Sequence, residues 1–215
     1  MAAAESTHFG GSVMIDWRFV LAGSVLCCDC GAVSAGQLVH MGSLSGGLGQ
    51  QTHVISLNQF DTQGGALTLN FVQIDVLTSV IGGGTSNGSG VPTDVFASLS
   101  VDYFLNADLL LETQATIDTQ ISNASMASFT LFDTDTAQLN LSSPDDIAPW
   151  IGAGLIELTA ITEFLLSETP MGTVDFSAGG SAQYTVTYDF TAAPGPPSFG
   201  VVGAVLAGMV RRRRH

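Results

Sequence analysis

Chemistry in this chain can come from only a small set of side chains. Asp133 and Asp135 stand two apart in "FDTDT", and Asp145 and Asp146 follow in "SPDD". Calcium takes roughly six to eight oxygen ligands at about 2.3 to 2.6 Å, so carboxylates gathered on loops could hold it. These four are the candidate metal ligands, with calcium the candidate cofactor. The competing reading is solvated turn acids, because no EF-hand or repeated calcium loop surrounds them. Glu157 and Glu163 could form the acid–base pair of a glycan hydrolase. Both fall on the polar side of an alternating segment, where exposed acids are ordinary. His40 and His53 flank a glycine-rich stretch without a nucleophile motif, so mobile edge histidines are expected rather than a catalytic dyad. Trp150, next to Pro149, is the best candidate for stacking on a sugar, although a tryptophan at a strand start also suits a core. No residue is assigned a catalytic role, and the protein is expected not to be an enzyme.

The elements that must position these residues alternate with a period of two. From Val95 to Ile121 the odd positions are largely apolar, and the even ones include Ser98, Asp102, Asp108, Glu112 and Asp118. That pattern predicts two successive strands, or one long bent strand, on a half-buried sheet. "GLIELTAITEFLL" repeats it with Ile156, Leu158, Ala160, Phe164 and Leu166, and "QYTVTYDFT" with Tyr184, Val186, Tyr188 and Phe190. In "ALTLNFVQIDVLTSV" the apolar parity changes between Phe71 and Ile74, which predicts a bulge or turn near Val72. Glycine- and serine-rich turns separate the segments. The expected fold class is all-β: an antiparallel β-sandwich, jelly-roll or Ig-like, flanked by an N-terminal signal peptide and a short C-terminal hydrophobic helix. Aromatics are too few for the girdles of an outer-membrane barrel.

Charge narrows the partners. Of 215 residues, the five Lys and Arg are all arginines, Arg18 and Arg211 to Arg214. All but three of the 19 acids follow residue 35, so the central region has carboxylates and no Lys or Arg. Such a surface cannot grip phosphate backbones, and nucleic acid is excluded as a partner. Like charges should repel across the surface at low ionic strength, so salt should stabilise the domain.

Both ends read as processing signals. "WRFVLAGSVLCCDCGAVSAG" has one arginine, an apolar run and small residues before Ala35, the layout of a secretory signal peptide cleaved between Ala35 and Gly36. A start at Met14 would give it a more ordinary beginning. All three cysteines, Cys27, Cys28 and Cys30, lie inside this segment. At the other end, Phe199 to Val210 form a twelve-residue apolar run before the arginines. As a helix it would reach roughly 18 Å against a hydrocarbon core of about 30 Å, and the arginines would hold its end in the cytoplasm. The domain boundaries are therefore 1–35 for the signal peptide, 36–191 for the sandwich and 192–215 for the tail. Three glycosylation sequons begin at Asn87, Asn123 and Asn140.

A proline motif, a short apolar helix and a terminal arginine cluster resemble the PEP-CTERM sorting signal of Gram-negative bacteria. The residues carrying the likeness are Pro194, Gly195, Pro196, Arg211, Arg212, Arg213 and Arg214, with Gly195 where that family has glutamate. The resemblance implies recognition by an exosortase-type membrane enzyme, transient insertion in the inner membrane, and delivery to the cell envelope or outside. "LNQFDTQGGALTLNFVQIDV", with Phe60, Asp61, Gly65 and Leu67, is similar to the strand pair of choice-of-anchor E domains. "WIGAGLIELTA" and "YTVTYDFT" match two further stretches of that domain. That family implies an exported surface protein with no established catalytic residues. Physically, Phe60 is expected in the core and Asp61 at a turn through the glycines. The expected function is that of a non-catalytic envelope or extracellular-matrix protein, with extracellular polysaccharide among its candidate partners. The alternatives are a calcium-dependent carbohydrate-binding or adhesive module and, behind it, a glycan hydrolase.

Overall fold

The computed structural model describes residues 35–170 and 174–192. The signal segment before Ala35 and the motif from Pro194 to Arg214 lie outside the described residues. Eight strands follow one another: β1 Ala35–Gly46, β2 Gly49–Asn58, β3 Leu67–Ser86, β4 Thr93–Leu105, β5 Asp108–Ile121, β6 Ser128–Leu141, β7 Leu155–Thr169 and β8 Val174–Ala192. A single helical turn, α1 Pro144–Ile147, precedes β7.

The fold is all-β, as alternation requires. The strands make two antiparallel sheets, ordered β1-β8-β3-β6 (sheet A) and β2-β7-β4-β5 (sheet B). Pairing is nested: β4 with β5, β3 with β6, β2 with β7, β1 with β8. A long hairpin rolled over itself in this way has the strand order of a double-sheet jelly roll. Crossing between sheets at every connection except the β4–β5 hairpin leaves β1 and β2 as edges on one side of the sandwich, and β5 and β6 as edges on the other.

Alternation sends every second residue inward. Val72, Ile74, Val76 and Val80 from β3 meet Val95, Ala97, Leu99 and Val101 from β4, all buried. Val186 and Tyr188 from β8 and Leu158 and Ala160 from β7 extend that core. The sheets approach closely at the paired Gly46 and Gly180. A Cβ at those positions would stand 2.7 and 2.9 Å from the methyls of Leu99, so a side chain at either would displace it.

Parity breaks are local. The expected bulge is present as a register shift between Leu69 and Phe71. The span from Val95 to Ile121 is two strands, joined through Asn106 and Ala107 with φ of 52° and 71°. Both central residues of this tight hairpin turn are left-handed, which matches the twist of its strands. A second register shift beside Tyr103 skips Leu110 and turns Leu109, expected on the apolar face, out to solvent.

Candidate functional site

Asp133 and Asp135 sit on β6, an edge strand rather than a loop, and both point toward the inner side. Their oxygens reach across to sheet B. Asp133 Oδ2 accepts the Thr116 N–H at 2.8 Å, and Asp135 Oδ2 accepts the Thr113 hydroxyl at 2.8 Å and the Gln114 N–H at 3.1 Å. These bonds hold the Asp135 carboxyl below the usual carboxylate range, the Gln114 N–H contributing most. Asp146 lies in the first turn of α1, where it exchanges bonds with the N-cap Ser143, and Asp145 stands exposed beside it. Among the described residues no group of three or more His, Cys, Asp or Glu side chains is placed to share a metal.

Glu157 and Glu163 are exposed on the outer face of β7. Six residues of strand separate them by about 20 Å. Hydrolysing carboxylate pairs stand about 5 to 9.5 Å apart.

Trp150 is fully buried, 6.0 Å from the Tyr188 ring, so it offers no face to a sugar. His40 is buried edge-on against Tyr188, its Nε2 without a partner, and burial lowers its pKa. His53 is half-buried, 3.2 Å from Thr162 Oγ1. Both histidines lie on edge strands, as expected, but packing fixes them. The motif residues are structural. Phe60 is in the core against Tyr188 and Phe190, and Asp61 Oδ1 accepts the Gln63 N–H to close the turn. Gly65 adopts φ 92° next to that turn, and Leu67 opens β3. Asn123 is buried, which removes one sequon from the surface.

The surface best suited to a ligand is one that sequence reasoning missed, the outer face of sheet A. Outward residues of β3, β6 and β8 are mostly hydroxyls and amides: Gln73, Ser79, Thr134, Thr136, Gln138, Asn140, Ser181, Gln183, Thr185 and Thr187. Asp75 is the carboxylate in their midst. Its Oδ2 accepts the Gln73 amide at 2.7 Å and its Oδ1 the Gln138 amide at 2.6 Å. An open depression of about 480 Å³ lies there, edged by Leu77, Thr136, Gln183 and Thr185. Farther along β6, Phe132 is 77% exposed, opposite the exposed Ile81. Gly179 extends that row with open space above it. From Phe132 to Asn140 the face runs about 26 Å at strand rise.

Such a face can donate and accept hydrogen bonds along a line and stack one ring. The signal that could have pointed to it is "FTLFDTDTAQLN", where Phe132, Thr134, Thr136, Gln138 and Asn140 alternate. The two inward aspartates interrupt the apolar set and hid the strand.

No family model and no curated protein matches the chain. Among solved structures it is similar to that of infectious bursal disease virus Gx strain, at 10% identity and TM-score 0.30 over 94% of this chain and 55% of that one. It is similar also to T=1 particles derived from infectious bursal virus, at 9% identity and TM-score 0.25 over 74% and 41% of the two chains. For Desmodium yellow mottle tymovirus the values are 9%, 0.26, 87% and 96%. The chain thus spans about half the length or less of the first two. Likenesses this distant carry no argument about function.

Proposed function

We propose that the chain is an exported, non-catalytic protein of the cell envelope or extracellular matrix of a Gram-negative bacterium, lying against neutral polysaccharide through the outer face of sheet A. One observation carries the polysaccharide part: a flat array of hydroxyls and amides beside an exposed Phe132, in a chain otherwise rich in carboxylates. Sugar hydroxyls exchange hydrogen bonds with such groups, and a sugar ring's apolar face packs on an aromatic. A polyanion would meet the chain's net charge of −14. Export and sorting rest on the signal-like leader and on the tail resembling an exosortase substrate. Calcium has no part in this reading, since Asp133 and Asp135 already serve the neighbouring strand.

The test has two arms. Affinity electrophoresis in gels containing the host's neutral exopolysaccharide should retard the protein equally with calcium or a chelator. Phe132→Ala and Gln138→Ala should each weaken retardation at least about tenfold while the melting temperature stays put. Retardation that neither variant changes removes the face as the site. Separately, protein recovered from its host should have an intact mass beginning at Gly36 and ending near Pro194 to Pro196. A retained arginine tail defeats the sorting reading alone.

A further inference from the structure

The two sides of the sandwich treat their edges differently. On the β5–β6 side, Asp133 and Asp135 take up outward N–H groups of β5, an edge guarded by inward-pointing charge. On the β1–β2 side no such device is present among the described residues. From Ala35 to Phe60 there is no Asp, Glu, Lys, Arg or Pro, although the domain is acidic elsewhere. Among the described residues β2, ten residues long, pairs only with β7, and it carries Val54, 63% exposed, near its middle. Exposed Leu48, Leu155 and Leu165 flank it on the outer face of sheet B.

A long uncharged edge strand is a template for another strand. We propose that β2 pairs with β2 of a second copy, antiparallel about a two-fold axis through Val54, joining two B sheets into one of eight strands. Charge selects the occupant. Copies this acidic can approach closely only where carboxylates are few, and β2 carries none of its own, the nearest being Glu157 and Glu163 one strand further in on β7. Register fits as well. With Val54 opposite its own copy, Thr52 faces Ser56, Gln50 faces Asn58 and Ile55 faces His53, giving β-branched or hydrogen-bonding pairs and no like charges. The inference is independent of the polysaccharide face, which lies on the other sheet.

An isologous contact makes a charge-swap prediction. In sedimentation velocity at physiological salt, protein recovered from its host should be a dimer. Val54→Glu and Val54→Lys should each be monomeric, with unchanged far-UV circular dichroism, because like charges would face each other on the axis. An equimolar mixture of the two should restore the dimer. Phe132→Lys, on the other sheet's outer face, should remain dimeric. Should either Val54 variant lose its fold, the double variants Thr52→Glu with Ser56→Glu and Thr52→Lys with Ser56→Lys, whose charges face each other across the axis in the same register, carry the same comparison as monomers. A monomeric wild type overturns the proposal, whether the edge stays free or serves another protein's strand. Oligomers that survive both charged variants overturn it equally.

Discussion

His40 shows how far a residue's chemistry depends on its neighbours. By type it is a titrating group; in place it is a buried ring packed on Tyr188, with its pKa lowered by desolvation. Above the ordinary histidine value of 6.5 it is neutral in both folded and unfolded chains and adds nothing to pH dependence. Below 6.5 the unfolded chain binds a proton that the folded one does not yet accept, so stability falls as pH falls toward the folded pKa. Urea unfolding between pH 7.5 and 5.5 should show this loss, with a slope of at most about 1.4 kcal/mol per pH unit from this residue. His40→Leu should flatten the profile by that contribution. A profile identical in the two proteins would mean that His40 is hydrated. Trp150 makes the same point without titrating, since its type suggests a sugar platform and its burial forbids one.

At the scale of elements, the edge strands matter most. β6 has no fully buried residue and depends on its pairing with β3 and on the aspartates that bridge to β5. Asp135→Ala would leave the Thr113 hydroxyl and the Gln114 N–H without their acceptor. A partly exposed position lets water replace some of that, so the expected loss is about 1 kcal/mol, read as a lower urea midpoint at unchanged m-value. No loss would show that the bridge is incidental. The central strands β4, β7 and β8 were legible because apolar residues fill one parity and polar residues the other. β6 was not, because Asp133 and Asp135 occupy its inner parity, and β5 lost its parity where Leu110 is skipped.

Over the whole molecule, the uneven charge governs behaviour. Within residues 35–192 no Lys or Arg balances the carboxylates, so self-repulsion opposes compaction. Raising sodium chloride from about 20 to 300 mM shortens the screening length several-fold and should stabilise by about 1 kcal/mol, or roughly 2–4 °C in melting temperature. Calcium and magnesium at equal ionic strength should act alike; a further rise saturating at micromolar calcium would reveal a bound ion. Composition and alternation by themselves determined the all-β class and the acidity, since each depends on a residue's type or its distance along the chain. Only the tertiary structure decided that Asp133 and Asp135 close one side while β1 and β2 leave the other open. The same folding buried Trp150 and laid the hydroxyls of β3, β6 and β8 on one face. Which strands become neighbours is set by long-range pairing across a rolled hairpin, and residues more than a hundred positions apart meet there without a local pattern to announce it.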